Sequence, residues 1–332
     1  MIDFTNLLTN GIEQLIGPSA IFFALLAIGL NIHFGYTGLL NFGQIGFALV
    51  GGYGMGIAVV NFGLPLWAGV LVGMVAGAVL ALLLGIPTLR LRADYLAIVT
   101  IAAAEILRLI TRSTSLTEFS GGTQGLTGYG GGFRSLSPFD NARFYSFLGV
   151  RFLGQDLWTI CVGWAVVAVS LLLVFLLVRS PWGRVLKAIR EDEDAARALG
   201  KNVFAYKMQA LVLGGVFGAI GGIVYALATQ SLTPDFYSPP QTFFVYAALI
   251  IGGAARVVGP VIGAMIFWFV LSITDNFLRQ AIAGSDPLIT FIDSQDVGAI
   301  RFILVGVALA LLMIFRPQGI LGNKEEVQLD AR

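Results

Sequence analysis

The residues of this chain that are able to support chemistry are few, and their types exclude most catalytic centres. The sequence contains one histidine, His33, and one cysteine, Cys161. A lone histidine provides neither a metal cluster nor a hydrolytic triad, and a lone cysteine forms no intrachain disulfide. The glycine-rich run at 121–132 lacks the Lys-Ser/Thr ending of a phosphate-binding loop. We therefore expect no metal, no cofactor and no enzymatic activity, which leaves binding, transport and coupling.

One group of candidates lies in an apolar segment at 39–60, LLNFGQIGFALVGGYGMGIAVV, which contains six glycines together with Asn41, Gln44 and Tyr53. So many glycines disfavour a straight helix facing lipid, and amides in hydrocarbon require partners or a watery cavity. Broken polar helices often line substrate paths in transporters. We predict that these three residues line a translocation path, and the alternative is hydrogen bonding between helices.

A second group consists of Glu105 and Arg108, which lie three residues apart in the apolar stretch AAAEILRLI. This spacing places both side chains on one face of a helix, where they can form an ion pair. Carboxylates inside membranes usually face the interior of a bundle. A structural ion pair and a role in gating both remain open for these two residues, which we include in the candidate path.

The third group is a charged segment between long apolar runs, Ser180–Tyr206. From Arg179 to Lys207 the chain carries seven basic and four acidic residues. Leu186, Ile189 and Ala196 fall on one face of a predicted helix with Trp182, and Gly200 stands where glycine commonly ends a helix. A short amphipathic helix of this kind commonly binds in a groove of a partner. The alternative is a solvated loop on the lipid surface.

The elements that position these residues are apolar segments. The chain has 332 residues, of which 57% are hydrophobic and 12% charged, with a net charge of +1 and a mean hydropathy of +0.86. Soluble domains carry about 25% charged residues, so the composition predicts a polytopic membrane protein and gives no case for nucleic-acid binding. We predict nine spans, with a possible tenth in residues 1–16. Their approximate bounds are 17–34, 39–60, 64–84, 93–111, 156–178, 208–229, 240–255, 258–279 and 298–315.

The spacing of the glycines predicts how the helices pack, and the distribution of the basic residues predicts how they are oriented in the membrane. Glycines recur at intervals of four at 69–77, 214–222 and 259–263, a spacing that lets helices approach closely. With the N-terminus outside, thirteen of the 20 basic residues fall on the cytoplasmic side and six outside. We therefore predict that the N-terminus and the loop at 112–155 are external, whereas the loop at 180–206 and the C-terminus are cytoplasmic.

Six stretches, taken together, carry a resemblance to a known family. They are FGYTGLLNFGQIGF (34–47), DYLAIVTIAAAEILRLI (94–110), GGTQGLTG (121–128), SPWGRVLKAIREDEDAARALGKN (180–202), GGAARVVGPVIGA (252–264) and FRPQGILG (315–322). In this order they cover most of the chain, which resembles the LivM-type permease subunits of ATP-binding-cassette importers for branched-chain amino acids. The resemblance implies an all-α polytopic transmembrane bundle of about nine to ten spans, folded as one domain over residues 1–332, with a broken second span and a cytoplasmic coupling helix.

The resemblance also implies partners. Two ATPase subunits, a second related permease and an extracytoplasmic substrate-binding protein are expected, in a bacterial plasma membrane. The stretch EDAARALG is similar to the element that such permeases insert into a groove of their ATPase. We expect one helix over about 185–199 to make that contact through Leu186, Ile189, Glu193, Ala195, Ala196 and Gly200.

Two other functions remain open at this stage. A stand-alone channel or facilitator for a small neutral solute, such as urea or a short amide, would have an equally uncharged interior and would not need the charged segment. A secondary transporter is disfavoured because buried Asp, Glu and His are scarce, although sodium coupling through carbonyl oxygens remains compatible with the sequence.

Overall fold

A computed structural model of the chain describes residues 3–90, 93–147, 149–282, 297–316 and 318–322. The described part is almost entirely helical, as predicted. Its helices are α1 (Phe4–Ile16), α2 (Pro18–Leu30), α3 (Gln44–Val60), α4 (Leu66–Thr88), α5 (Ala93–Arg112), α6 (Thr117–Ser120), α7 (Gly131–Ser135), α8 (Gly154–Arg179), α9 (Pro181–Glu191), α10 (Glu193–Ala198), α11 (Val203–Thr229), α12 (Pro240–Gly252), α13 (Gly259–Ile282) and α14 (Val297–Phe315).

Each of the nine predicted apolar segments falls on one of these helices. Among the described residues, α2 with its continuation to Tyr36, α4, α8, α11 and α13 are long and apolar enough to cross a membrane, while α3 and α12 are shorter apolar helices. The first residues of the chain also form a helix, α1, which packs along α13. An all-α transmembrane bundle is therefore confirmed.

The bundle is organised around two central helices. Helix α2 is buried on all sides, and α11 packs against α2, α3 and α4. Helix α13 packs against α1, α2 and α12 on the other side of α2. Helices α4 and α8 lie at the periphery and expose leucine and valine side chains along much of their length, as helices facing lipid do.

Close contacts at glycine hold the central helices together. A Cβ added at Gly222 of α11 would fall onto the carbonyl oxygen of Ala48 in α3. A Cβ at Gly73 of α4 would meet the carbonyl oxygen of Gly51, and one at Gly263 of α13 would meet that of Ala248. The predicted four-residue spacing is therefore a packing device, which brings helix backbones within contact distance where lipid offers no hydrophobic drive for association.

The predicted external loop is folded rather than extended. Strands β2 (Phe144–Phe147) and β3 (Val150–Leu153) form an antiparallel hairpin. The glycine-rich run contributes β1 (Leu126–Thr127), which pairs with β4 (Ser231–Leu232). The glycine-rich run is therefore packed onto the bundle rather than forming a loose connection.

Tyr129, in the same glycine-rich run, is buried, and its hydroxyl donates to the carbonyl oxygen of Ala226 at 3.1 Å. Burial raises the pKa of this phenol, so it stays neutral where it packs against α11.

Candidate functional site

The break expected in the second span lies just before α3. Helix α2 continues as a π-helical turn over Asn31–Tyr36, and regular helix resumes only at Gln44. Gly38 has a φ of +73°, a left-handed conformation that glycine adopts without steric cost. π-Helical turns are uncommon in proteins, and those that occur are often found at functional sites. The residues between the two helices therefore form an irregular, buried connection inside the bundle.

A hydrogen-bonded network of buried side chains fills this connection. The Nε2 of His33 lies 3.1 Å from the carbonyl oxygen of Leu211, and its Nδ1 lies 3.0 Å from the amide nitrogen of Asn41. A carbonyl oxygen only accepts, so Nε2 carries the proton and Nδ1 accepts from Asn41. Asn41 also donates to Oε1 of Gln44 at 3.0 Å. Gln44 then donates to the carbonyl oxygens of Gly214 at 3.1 Å and Leu26 at 3.3 Å.

The network ties α2, α3 and α11 together, and it accounts for the amides that the sequence singled out. Asn41 and Gln44 are fully buried, and Tyr53 is buried with its hydroxyl donating to the carbonyl oxygen of Leu232 at 2.8 Å. None of the three lines an open path in this structure, so a role in the path remains a prediction. His33, which sequence reasoning considered only as a metal ligand, is the residue that joins Asn41 to α11.

We expect Gln44→Leu to destabilise the folded chain. The substitution leaves the acceptors on Leu26 and Gly214 and the amide of Asn41 without their partner, and a buried unsatisfied polar group costs about 1–3 kcal/mol. Thermal unfolding of the purified chain in detergent measures the effect. The control is Gln124→Leu, since Gln124 is exposed and no described residue hydrogen-bonds its side chain. An unchanged melting temperature combined with lost uptake would instead identify Gln44 as a path residue.

The ion pair predicted between Glu105 and Arg108 is present and bidentate. The Nε and Nη2 of Arg108 donate to the two carboxylate oxygens of Glu105 at 2.9 and 2.6 Å. A third member was not predicted: Nη1 of Arg108 donates to Oδ1 of Asp235 at 3.0 Å, and Arg112 lies 3.5 Å from the same oxygen. The only sequence signal for Asp235 was its place in a Pro-broken aromatic loop. This charged cluster joins α5 to the 3₁₀ turn at Pro234–Tyr237.

The charged segment forms two helices, and the single helix expected over about 185–199 is wrong. Asp192 has φ −152° and ψ 104°, so it interrupts the helix between α9 and α10. Its carboxylate accepts a hydrogen bond from the N–H of Ala195 at 2.9 Å, which caps α10. Gly200 follows α10 with a φ of +76°, as expected for a glycine that ends a helix.

The expected partner-binding face of this segment is also corrected. Leu186 and Ile189 are 0% and 3% exposed because they pack into the bundle, and Ala196 is buried with Ile189 against the start of α11. The surface of α10 instead presents Ala195, Gly200 and Leu199, whose side chain is 79% exposed. Sequence reasoning missed Leu199, whose signal was an apolar residue beside a helix-ending glycine.

Charged contacts fix both helices to the membrane bundle. Glu193 accepts from Arg197 at 2.9 Å and forms a short ion pair with Lys207 of α11. Arg190 donates from Nη1 to the carbonyl oxygen of Gly35 at 2.5 Å, while Asp194 pairs with Arg197. The hydrogen bond from Arg190 reaches the π-helical turn, so the charged segment is joined directly to the buried break.

Residues 15–315 match the family model described as branched-chain amino acid transport system / permease component. The high-affinity branched-chain amino acid transport system permease protein LivM of Salmonella typhimurium is 30% identical over 315 residues, which cover 92% of this chain and 69% of the relative. The probable LivM protein of Methanocaldococcus jannaschii is 25% identical, covering 90% of each chain.

A more distant relative has a different substrate in its name. The nucleoside ABC transporter permease protein NupC of Lactococcus lactis is 26% identical over 250 residues, covering 74% of this chain and 73% of the relative. Because the family model matches residues 15–315, nearly the whole chain, the chain belongs to the permease-component family of branched-chain amino acid transport systems.

Proposed function

We propose that this chain forms half of the translocation path of an ATP-driven importer for small neutral amino acids, with branched-chain amino acids as the main substrates. One observation carries the proposal: the α9–α10 pair is an exposed, folded element that is hydrogen-bonded through Arg190 to the irregular turn inside the bundle. A stand-alone facilitator has no need for an exposed element linked to the membrane interior. ATP is then hydrolysed by separate ATPase subunits that bind α10.

The substrate class is supported by the relatives and by the chemistry of the bundle. The LivM relatives are named for branched-chain amino acids and extend over most of this chain, whereas the NupC relative is named for nucleosides and covers less of it. Among the described residues of the spans, the charged side chains away from the span ends are Glu105 and Arg108 of α5 and Asp275 of α13. All three are paired, since Asp275 forms ion pairs with Arg279 and Arg301. A path of this kind suits a zwitterion with an apolar side chain.

Helix α5 is the element that we assign to the path. The Glu105 side chain is 34% exposed, on a helix whose other exposed residues are apolar up to Arg112 at its end. A carboxylate exposed to lipid to this extent is unfavourable even when paired, so this face is better covered by a watery path or by the second permease. The charged cluster at Asp235 would then stand at the external mouth, where the binding protein delivers the substrate.

Uptake by a reconstituted complex tests the proposal. Vesicles that contain this chain, its companion permease and the ATPases should transport labelled leucine under one condition only. ATP must be on the side of the membrane that α10 faces, and the binding protein must be on the opposite side. Leucine equilibration by this chain alone, without ATP, would favour the facilitator. Saturable uptake of a labelled nucleoside but not of leucine would reassign the substrate while leaving the importer intact.

The orientation of the chain in the membrane is tested separately. In a Cys161→Ala background, an impermeant thiol reagent added outside whole cells should label Ser135→Cys and spare Asp194→Cys, because the basic residues place α10 in the cytoplasm. Both positions are exposed, so a difference in labelling between them reports the side of the membrane and not burial. Permeabilised cells, in which both positions should react, provide the control. Labelling of Asp194→Cys in intact cells would reverse the topology.

A further inference from the structure

A cavity of about 500 Å³ lies between α10 and the membrane bundle. Its walls come from the end of α4, the start of α5, the connection at Gly38 and Leu39, helix α10 and the start of α11. Neither the family assignment nor the proposed transport function gives this cavity a role. Its volume lies within the range of about 300–1,000 Å³ typical of small-molecule sites.

The charges that line the cavity are predominantly positive. Four basic side chains, those of Arg90, Arg197, Lys201 and Lys207, face one carboxylate, that of Glu193. Lys207 is paired with Glu193, and Arg197 is paired with both Glu193 and Asp194. The remaining two cations therefore decide what the cavity binds.

Among the side chains that the structure describes, none forms an ion pair with Arg90 or Lys201. The guanidinium of Arg90 lies 5.5 Å from the ring centre of Phe204, a cation–π contact that positions it without neutralising its charge. Lys201 is exposed at the turn that joins α10 to α11. The two cations come from different elements of the cavity wall: Arg90 follows the end of α4, and Lys201 lies in the turn before α11.

Two further features of the walls add to this preference. Asn202, Val203 and Phe204 belong to the N-terminal end of α11, a helix of 27 residues, and the positive end of its dipole favours a nearby anion. Leu89 and Leu96 form an apolar wall beside the cations. Cationic and apolar walls at the ends of membrane helices match the headgroup region of an anionic phospholipid.

We propose that this cavity is a binding site for a phosphate-bearing anion, held by Arg90 and Lys201 across the gap between the α4–α5 turn and the α10–α11 turn. The phosphate comes either from an anionic lipid headgroup or from a free phosphate-bearing solute. A bound phosphate would connect the bundle to the α9–α10 pair at a further point, in addition to Arg190 and to the Glu193–Lys207 ion pair.

The test uses the full chain with two probes. For the lipid, the melting temperature is compared in nanodiscs of phosphatidylcholine alone and of phosphatidylcholine with phosphatidylglycerol. For the free anion, inorganic phosphate is titrated into phosphatidylcholine nanodiscs and compared with chloride at equal ionic strength. The test variant is Arg90→Gln/Lys201→Gln, and the matched controls are Lys187→Gln, exposed on α9, and Arg143→Gln, an exposed arginine 5.9 Å from the ring of Tyr145.

We expect one of the two probes to stabilise the wild-type chain and both controls, and the double variant to bind it at least about tenfold more weakly, since each lost charge-assisted bond weakens binding by about that factor. Stabilisation by phosphatidylglycerol alone identifies a lipid site, and stabilisation by inorganic phosphate identifies a solute site. If the double variant does not fold, Lys201→Gln alone at its exposed position replaces it. No response of the wild-type chain to either probe, or equal responses in variant and wild type, would overturn the proposal.

Discussion

Leu199→Glu is expected to detach the ATPase subunits while leaving the membrane bundle folded. Leu199 is 79% exposed at the end of α10, and it is the large apolar group on the surface of a segment whose other large apolar residues are buried or partly buried. Anchors of this kind typically contribute about 2 kcal/mol or more to an interface, which corresponds to roughly a thirtyfold loss of affinity. Introducing a carboxylate into an apolar groove adds a desolvation cost to that loss.

Co-purification of the ATPases and leucine-stimulated ATP hydrolysis are the two measurements for this variant. The matched control is Leu136→Glu, which replaces an exposed leucine, at 69%, in the loop on the other side of the membrane. Leu186→Ala provides the opposite contrast, because removing a fully buried leucine should lower stability by about 2–5 kcal/mol. If Leu199→Glu retains both co-purification and coupled hydrolysis, α10 is not the ATPase contact.

Gly222→Ala is expected to disrupt the packing of the central helices. A single added methyl group would collide with the carbonyl oxygen of Ala48, a backbone atom that cannot rotate away. Relieving the collision requires α11 and α3 to separate, and α3 is held from its other side by the approach of Gly73 to Gly51. We expect a loss at or above the upper end of the usual overpacking range of about 1–3 kcal/mol.

Thermal unfolding of the purified chain and the amount of folded protein in membranes both measure this effect. Gly306→Ala is the matched control, since it makes the same change within helix α14, where an added Cβ would meet no described atom within 4 Å. The control should retain wild-type stability or gain slightly, because alanine favours helix more than glycine does. Equal melting temperatures for the two variants would show that the bundle can adjust at Gly222, contrary to this structure.

Features set by local pattern were predictable from the sequence. The apolar segments fall on helices because hydropathy and length decide what a lipid bilayer accepts. Glu105 and Arg108 pair because three residues along a helix bring side chains to one face, whatever surrounds them. The glycine spacing indicated close helix contacts for the same reason. The break before α3 was expected because its segment is rich in glycine.

Features that depend on which surfaces meet required the tertiary structure. The periodicity of Leu186 and Ile189 showed that α9 has an apolar face, but not that the bundle itself covers this face. The sequence left open whether Asn41 and Gln44 face water or other helices, because the network they form is completed by Gln44 donating to Gly214 of α11, 170 residues along the chain. Asp235 joins Arg108 across 127 residues. Contacts over such distances leave no local signal in the sequence. The sequence by itself therefore determined the helices and which of their faces carry charged residues or glycines. Only the packing of those faces decided which residues remain available to a partner.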